Sequence, residues 1–204
     1  MTPDIPLPEP PTFNLRANAF QNRRTYRLTD DALTWEEDGK ALDGVYYDDI
    51  AEIRLAFAPT RVARNRYRAQ IIFRQGGMAE LFNTDYQGFG DFPEKNEEYV
   101  ALLRELHRRI AAKGGTTRFR KGNSTLAYIF NILLTIFIFA MLALAFFMLA
   151  SFGLVWIAVV KLGIIMFFIP TLIRYIKRVK PETYDPLHVP ADALPDLPDT
   201  ATAL

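Results

Sequence analysis

Apolar and polar positions alternate in short runs between residues 13 and 92. Tyr26 and Leu28 alternate with polar neighbours, and so do Leu33 and Trp35. Ile53, Leu55 and Phe57 alternate with Arg54 and Ala56, and Tyr67, Ala69, Ile71 and Phe73 with Arg66, Arg68, Gln70, Ile72 and Arg74. A period of two places successive side chains on opposite faces of a strand. Asp38-Gly39, Asp43-Gly44 and Gln75-Gly76-Gly77 punctuate these runs and read as turns. The pattern predicts an antiparallel sheet or small barrel.

The period then changes. Tyr99, Leu102, Leu103, Leu106 and Ile110 recur at helical spacing, with Pro93 before them and Gly114-Gly115 after. One amphipathic helix of about 20 residues is expected over 94–113, its apolar stripe covering the sheet or closing the barrel. His107 falls beside Arg108 and Arg109 and is assigned to the polar side.

A third regime follows. Residues 124–160 contain no charge, and 162–173 again none, so Lys161 is the single charge between 124 and 173. A spanning helix needs about 20 apolar residues. Two spans are expected, near 126–148 and 154–173, joined by Ala150-Ser151-Phe152-Gly153. The 14 Leu, Ile, Phe and Val residues of the first contribute about −4 to −8 kcal/mol on an insertion scale. The second has 13, less the cost of Lys161 and with a kink expected at Pro170. Arg104 to Lys121 and Arg174 to Lys180 flank the pair with positive charge, which predicts a hairpin in the cytoplasmic membrane with both termini in the cytoplasm. The N-terminus has no basic and apolar leader, so no cleaved signal is expected and the first hydrophobic helix acts as the targeting signal.

The domain order expected is a Pro-rich disordered tail (1–12), a cytoplasmic domain (13–121), a transmembrane hairpin (122–180) and an acidic tail (181–204) with five prolines, five acids and no Lys or Arg. That tail is expected to be disordered, although Tyr184–Pro190 mixes apolar and turn residues suited to docking on its own domain or on a partner.

Leu33-Thr34-Trp35 followed by Gly44-Val45-Tyr46-Tyr47-Asp48-Asp49-Ile50-Ala51-Glu52-Ile53 resembles bacterial membrane-anchored proteins with pleckstrin-homology-like domains, over residues 20–113. In those proteins the membrane helices usually precede the domain, whereas here they follow it. The resemblance implies an α+β fold, an antiparallel pleckstrin-homology-like sheet or barrel closed by one C-terminal amphipathic helix. It also implies a ligand- or partner-binding module rather than an enzyme.

Charge and composition narrow the chemistry. The chain has no Cys and two His, and neither His lies in a metal-ligand spacing, so no cofactor or metal is expected. Glu36-Glu37-Asp38 and Asp48-Asp49 sit by turns and read as solvated acids. Residues 1–123 hold 19 basic and 18 acidic residues, which gives no reason to expect nucleic acid. Arg61, Arg64, Arg66 and Arg68 are the candidates for holding anionic lipid headgroups or an acidic protein partner, against the plainer reading of a solvated strand face. Asn131 and Thr135 share one helix face and, with Lys161, form candidate intramembrane polar contacts. Lys161 alternatively snorkels to the interface. The function expected is a non-enzymatic accessory, assembly or scaffold subunit binding lipid, a protein partner or copies of itself. The alternative is an oligomeric transport or channel component using Asn131, Thr135 and Lys161.

Overall fold

The computed structural model describes residues 11–38, 40–151, 153, 156–157, 159, 163, 166–167 and 180–197. The second expected span, with Lys161 and Pro170, lies outside the described residues apart from scattered positions, as do the first ten residues of the N-terminal tail. The chain divides into two units, one of residues 1–121 with 183–204 and one of residues 122–182.

In the first unit, β1 (Thr12–Leu15), β2 (Arg24–Leu28), β3 (Ala32–Glu37) and β4 (Asp43–Tyr46) form an antiparallel meander in chain order. The alternation fixes the register. Tyr26 lies opposite Trp35 and Leu28 opposite Leu33, so all four face one core. Asp43-Gly44 is a strand segment rather than a turn. A side chain at Gly44 would place its Cβ 2.9 Å from the Leu33 carbonyl oxygen and 3.1 Å from Thr34 Cγ2, so the glycine serves a close approach of two strands.

A 3-10 turn at Tyr47–Asp49 leads into β5 (Ile50–Phe57), β6 (Tyr67–Phe73) and β7 (Met78–Phe82). These run antiparallel, and Gly76 and Gly77 turn β6 into β7, both at φ +90°. Helix α1 (Asn96–Ala112) follows, ending at Gly114 with φ +66°. It buries Tyr99, Val100, Leu102, Leu103, Leu106 and Ile110. The stretch after the helix does more than flank a membrane segment. Arg118–Lys121 forms β8, pairing parallel with β5 (Ile53 opposite Phe119), and β9 (Glu182–Thr183) lies beyond it. The barrel alternative is corrected. The described strands form a four-stranded and a five-stranded sheet rather than a closed barrel, and apolar side chains of both sheets and α1 share one core.

His107 is also corrected. It is buried, not on the polar side of α1. Position 107 is four residues after Leu103 and three before Ile110, so it lies on the apolar stripe itself.

In the second unit, α2 (Thr125–Ser151) has 27 residues and starts where Ser124 Oγ accepts the Ala127 N–H at 3.3 Å. Its residues Thr125–Met148 are long and apolar enough to cross a membrane, and none of that span is buried.

Candidate functional site

The C-terminal segment expected to be disordered is packed on the first unit over residues 183–197. Few contacts accomplish this, because they are large and well matched. The Tyr184 ring lies 5.8 Å from His107 and 6.1 Å from Phe119, and His107 and Phe119 are 5.1 Å apart. The Tyr184 N–H donates to the Phe119 carbonyl at 3.1 Å, extending the sheet edge. Ala193 and Leu194 are buried in the main core, and Lys121 Nζ pairs with Asp192 at 2.9 Å.

The hydrogen bonds at His107 define its proton. The Leu103 carbonyl, 2.6 Å away, can only accept, so Nδ1 carries the hydrogen. Nε2 then accepts from the Tyr184 hydroxyl at 2.7 Å. Burial lowers the His107 pKa to about 4, against the raising effect of the Leu103 carbonyl. Burial also pushes the Tyr184 phenol up. Both rings are therefore neutral and matched donor to acceptor. A shallow groove of about 440 Å³ beside them is lined by Ile110, Thr117, Phe119, Tyr184 and Pro186 among others. It holds no converging titratable set.

A second assembly lies where three loops meet. Asn83 joins two of them, accepting the Tyr67 N–H at 2.7 Å and donating to the Asn65 carbonyl at 2.9 Å. The β1–β2 loop is attached by the Tyr86 N–H donating to the Arg16 carbonyl at 2.7 Å. Asp85 locks the junction. Its buried carboxylate accepts the Arg16 backbone N–H at 2.8 Å, pairs with Arg23 Nη1 at 2.9 Å and has Lys95 Nζ at 3.5 Å. Burial alone would raise the Asp85 pKa, but the Arg16 amide and the two cations outweigh it and hold it below the usual carboxylate range.

The four arginines singled out from the sequence divide at this junction. The solvated strand face is corrected. Arg61, Arg64 and Arg66 lie in the β5–β6 connection, and Arg68 alone is in β6. Arg66 is committed to its own domain. Its guanidinium sits 3.8 Å from the centroid of Phe82 and donates to the Ala17 carbonyl at 3.1 Å. Burial lowers its pKa. Arg68 pairs across the strands with Glu80 at 3.5 Å. Arg61 and Arg64 are exposed, with no ion pair among the described residues.

In α2, the Thr135 hydroxyl donates to the Asn131 carbonyl of its own helix at 2.8 Å, and the Ser151 hydroxyl to the Phe147 carbonyl at 2.9 Å. These two hydroxyls are thus satisfied without a partner helix. Lys161, the third candidate of this set, lies outside the described residues.

The composition of Tyr184–Pro190 points to docking, but no local pattern marks His107 as its partner or announces the Asp85 junction. The junction joins Asp85 to Arg23, 62 positions away, and the His107–Tyr184 pair joins residues 77 apart. No family model matches the chain, and no curated protein matches it. Among solved structures, a chain of the Spt16D–Pob3N heterodimer is similar at 14% identity with a TM-score of 0.34, covering 56% of this chain and 56% of that one. The chain therefore spans little more than half the length of that relative, and a likeness of that size carries no argument about function.

Proposed function

We propose that this chain is a membrane-held, non-enzymatic binding module, a pleckstrin-homology-like domain carried on a transmembrane hairpin in a cytoplasmic membrane. One observation carries the reading. The span Thr125–Met148 is apolar and buries nothing, with Leu126, Phe130, Leu133, Ile136, Phe137 and Phe147 all more than half exposed. In water such a helix would expose apolar surface on every face. In hydrocarbon its helical backbone is paired within the helix, and so is the Thr135 hydroxyl.

The hairpin has its own support. Residues up to 121 and from 183 onward pack into one unit. A chain that crosses a bilayer after the first of these and rejoins the second returns to the side it left, which takes an even number of crossings. The run of strands followed by one covering helix agrees with the pleckstrin-homology-like resemblance, whose implied role is binding of lipid or a protein partner. The transport alternative has less behind it, because Thr135 is satisfied by its own helix.

The test is fractionation of cells expressing the full chain. Retention in the membrane pellet through an alkaline carbonate wash, with release by detergent, is the expected result. Release by the wash alone would exclude a crossing helix. Purification in mild detergent followed by mass spectrometry then separates an accessory subunit, which brings a stoichiometric partner, from a self-associating module.

A further inference from the structure

The three-loop junction carries a consequence for how the domain meets a bilayer. Each loop is a built turn with an apolar residue aimed outward. In the β1–β2 loop, Asn18 Oδ1 accepts the Phe20 and Gln21 N–H groups at 2.9 and 3.1 Å, while Arg16 donates to the Gln21 and Ala19 carbonyls at 3.0 and 3.1 Å. Phe20 at its tip is 99% exposed. In the β7–α1 loop, Gln87 and Asp91 close a turn around Gly88-Phe89-Gly90, with Gly90 at φ +79°, and Phe89 is fully exposed. In the β5–β6 loop, Thr60 and Ala63 close a turn that leaves Val62 58% exposed between Arg61 and Arg64. Isolated exposed apolar residues are ordinary. Two ordered phenylalanine tips and a valine on three loops tied to one another are not isolated.

Charge and connectivity name the occupant. Of the loops' acids, Asp85 is buried in its ion pairs and Glu94 accepts from Asn96 at 2.9 Å, which leaves Asp91 exposed against Arg61 and Arg64, exposed and without an ion pair among the described residues. Lys121, where the chain leaves the domain toward α2, lies opposite Leu55 near the C-terminal end of β5, and the β5–β6 loop begins at that same end. The apolar tips, the exposed Arg61 and Arg64 and the exit of the chain at Lys121 thus lie at one end of the five-stranded sheet.

We infer that this edge seats on the surface of the bilayer, with Phe20, Val62 and Phe89 entering the headgroup–acyl boundary and Arg61 and Arg64 holding anionic phospholipid headgroups. Phenylalanine and other apolar side chains of surface-bound segments bury into that boundary, and each arginine near an anionic surface contributes roughly fivefold in affinity. The inference rests on the membrane-held reading above and adds the surface and the lipid class.

The chain has no cysteine, so one introduced thiol reports one position. Full-length Phe89→Cys, labelled with an environment-sensitive fluorophore, is reconstituted into phosphatidylcholine vesicles with and without phosphatidylglycerol. Met78→Cys is the control, an exposed residue at the opposite end of β6 and β7. The expected result is a blue-shifted Phe89 label, quenched by spin-labelled lipid when phosphatidylglycerol is present, with the Met78 label in water in both vesicles. Arg61→Glu with Arg64→Glu should lower the ratio of seated to free edge on the order of 25-fold or more. A Phe89 label that stays in water in both vesicles, while the protein survives the carbonate wash, overturns this inference alone. Loss in the wash overturns the membrane-held reading itself. A label shielded in native membranes but not in protein-free vesicles assigns the edge to a protein partner and also overturns it.

Discussion

Among the described residues, helices α1 and α2 meet solvent in opposite ways. Helix α1 divides its surface. Leu102, Leu103 and Leu106 are fully buried, while the outer face carries Glu105 ion-paired to Arg108 at 2.5 Å and to Arg109 at 2.7 Å. Hydrogen bonding to Arg108, together with Arg109, outweighs the effect of burial and lowers the Glu105 pKa to about 2. Helix α2 does not divide its surface. It is apolar all round and buries none of its span. The two patterns point to different surroundings: α1 is cut to an interface between a core and water, and α2 to a medium that is apolar on every side.

This contrast can be broken most strongly in the core. Leu106→Ala should cost the domain about 2–5 kcal/mol, read as a shifted denaturation midpoint of the first unit in detergent. Phe137→Ala on α2, where the side chain is 62% exposed, should leave that midpoint unmoved. Equal effects would mean that α2 belongs to the folded core.

Acid gives the next largest effect. The folded His107 has its pKa lowered to about 4, so between about 6.5 and about 4 the unfolded or undocked chain binds the proton that the folded site refuses. Stability is full above about 6.5 and falls as pH drops through that window, by up to about 3 kcal/mol. Asp85, whose folded pKa is depressed, adds a further loss below the ordinary carboxylate range. Proteolysis of residues 183–197 as a function of pH checks the His107 part, and a tail equally protected at pH 4 and pH 7 would contradict it.

Tyr184→Phe sharpens the same site. It keeps the ring contacts but strands the buried His107 Nε2, for a loss of about 1–3 kcal/mol, measured as faster amide exchange in the tail. The smallest effect belongs to the outer face of α1. Arg108→Ala, at a side chain 63% exposed, should not measurably move the unfolding midpoint.

What the sequence made legible follows from how local each signal is. Tyr67, Ala69 and Ile71 announced β6 by alternation, the stripe from Tyr99 to Ile110 announced α1, and the uncharged run announced α2, because each period is written within one element. β8 escaped because four residues, Arg118–Lys121, carry two outward arginines and one buried Phe119. Its parallel partner β5 lies more than 60 residues earlier. His107 reads as polar because its arginine neighbours mask its position on the stripe. The tail was expected to be disordered because proline and acid dominate its composition, whereas Tyr184 and Leu194 are enough to dock it when a groove is ready. The loop edge left no trace in any period, since Phe20, Val62 and Phe89 lie far apart in three separate turns.

The central claim is that α2 crosses a bilayer while the domain and its tail share one side. Single cysteines at Met78, Leu187 and Ser151 place a thiol on the domain, on the tail and at the far end of α2. A membrane-impermeant maleimide applied to sealed right-side-out and inside-out vesicles reads their sidedness. The account predicts that Met78→Cys and Leu187→Cys react only from the cytoplasmic face and Ser151→Cys only from the opposite face. Labelling of all three from one face, or of Met78→Cys and Leu187→Cys from different faces, would contradict it.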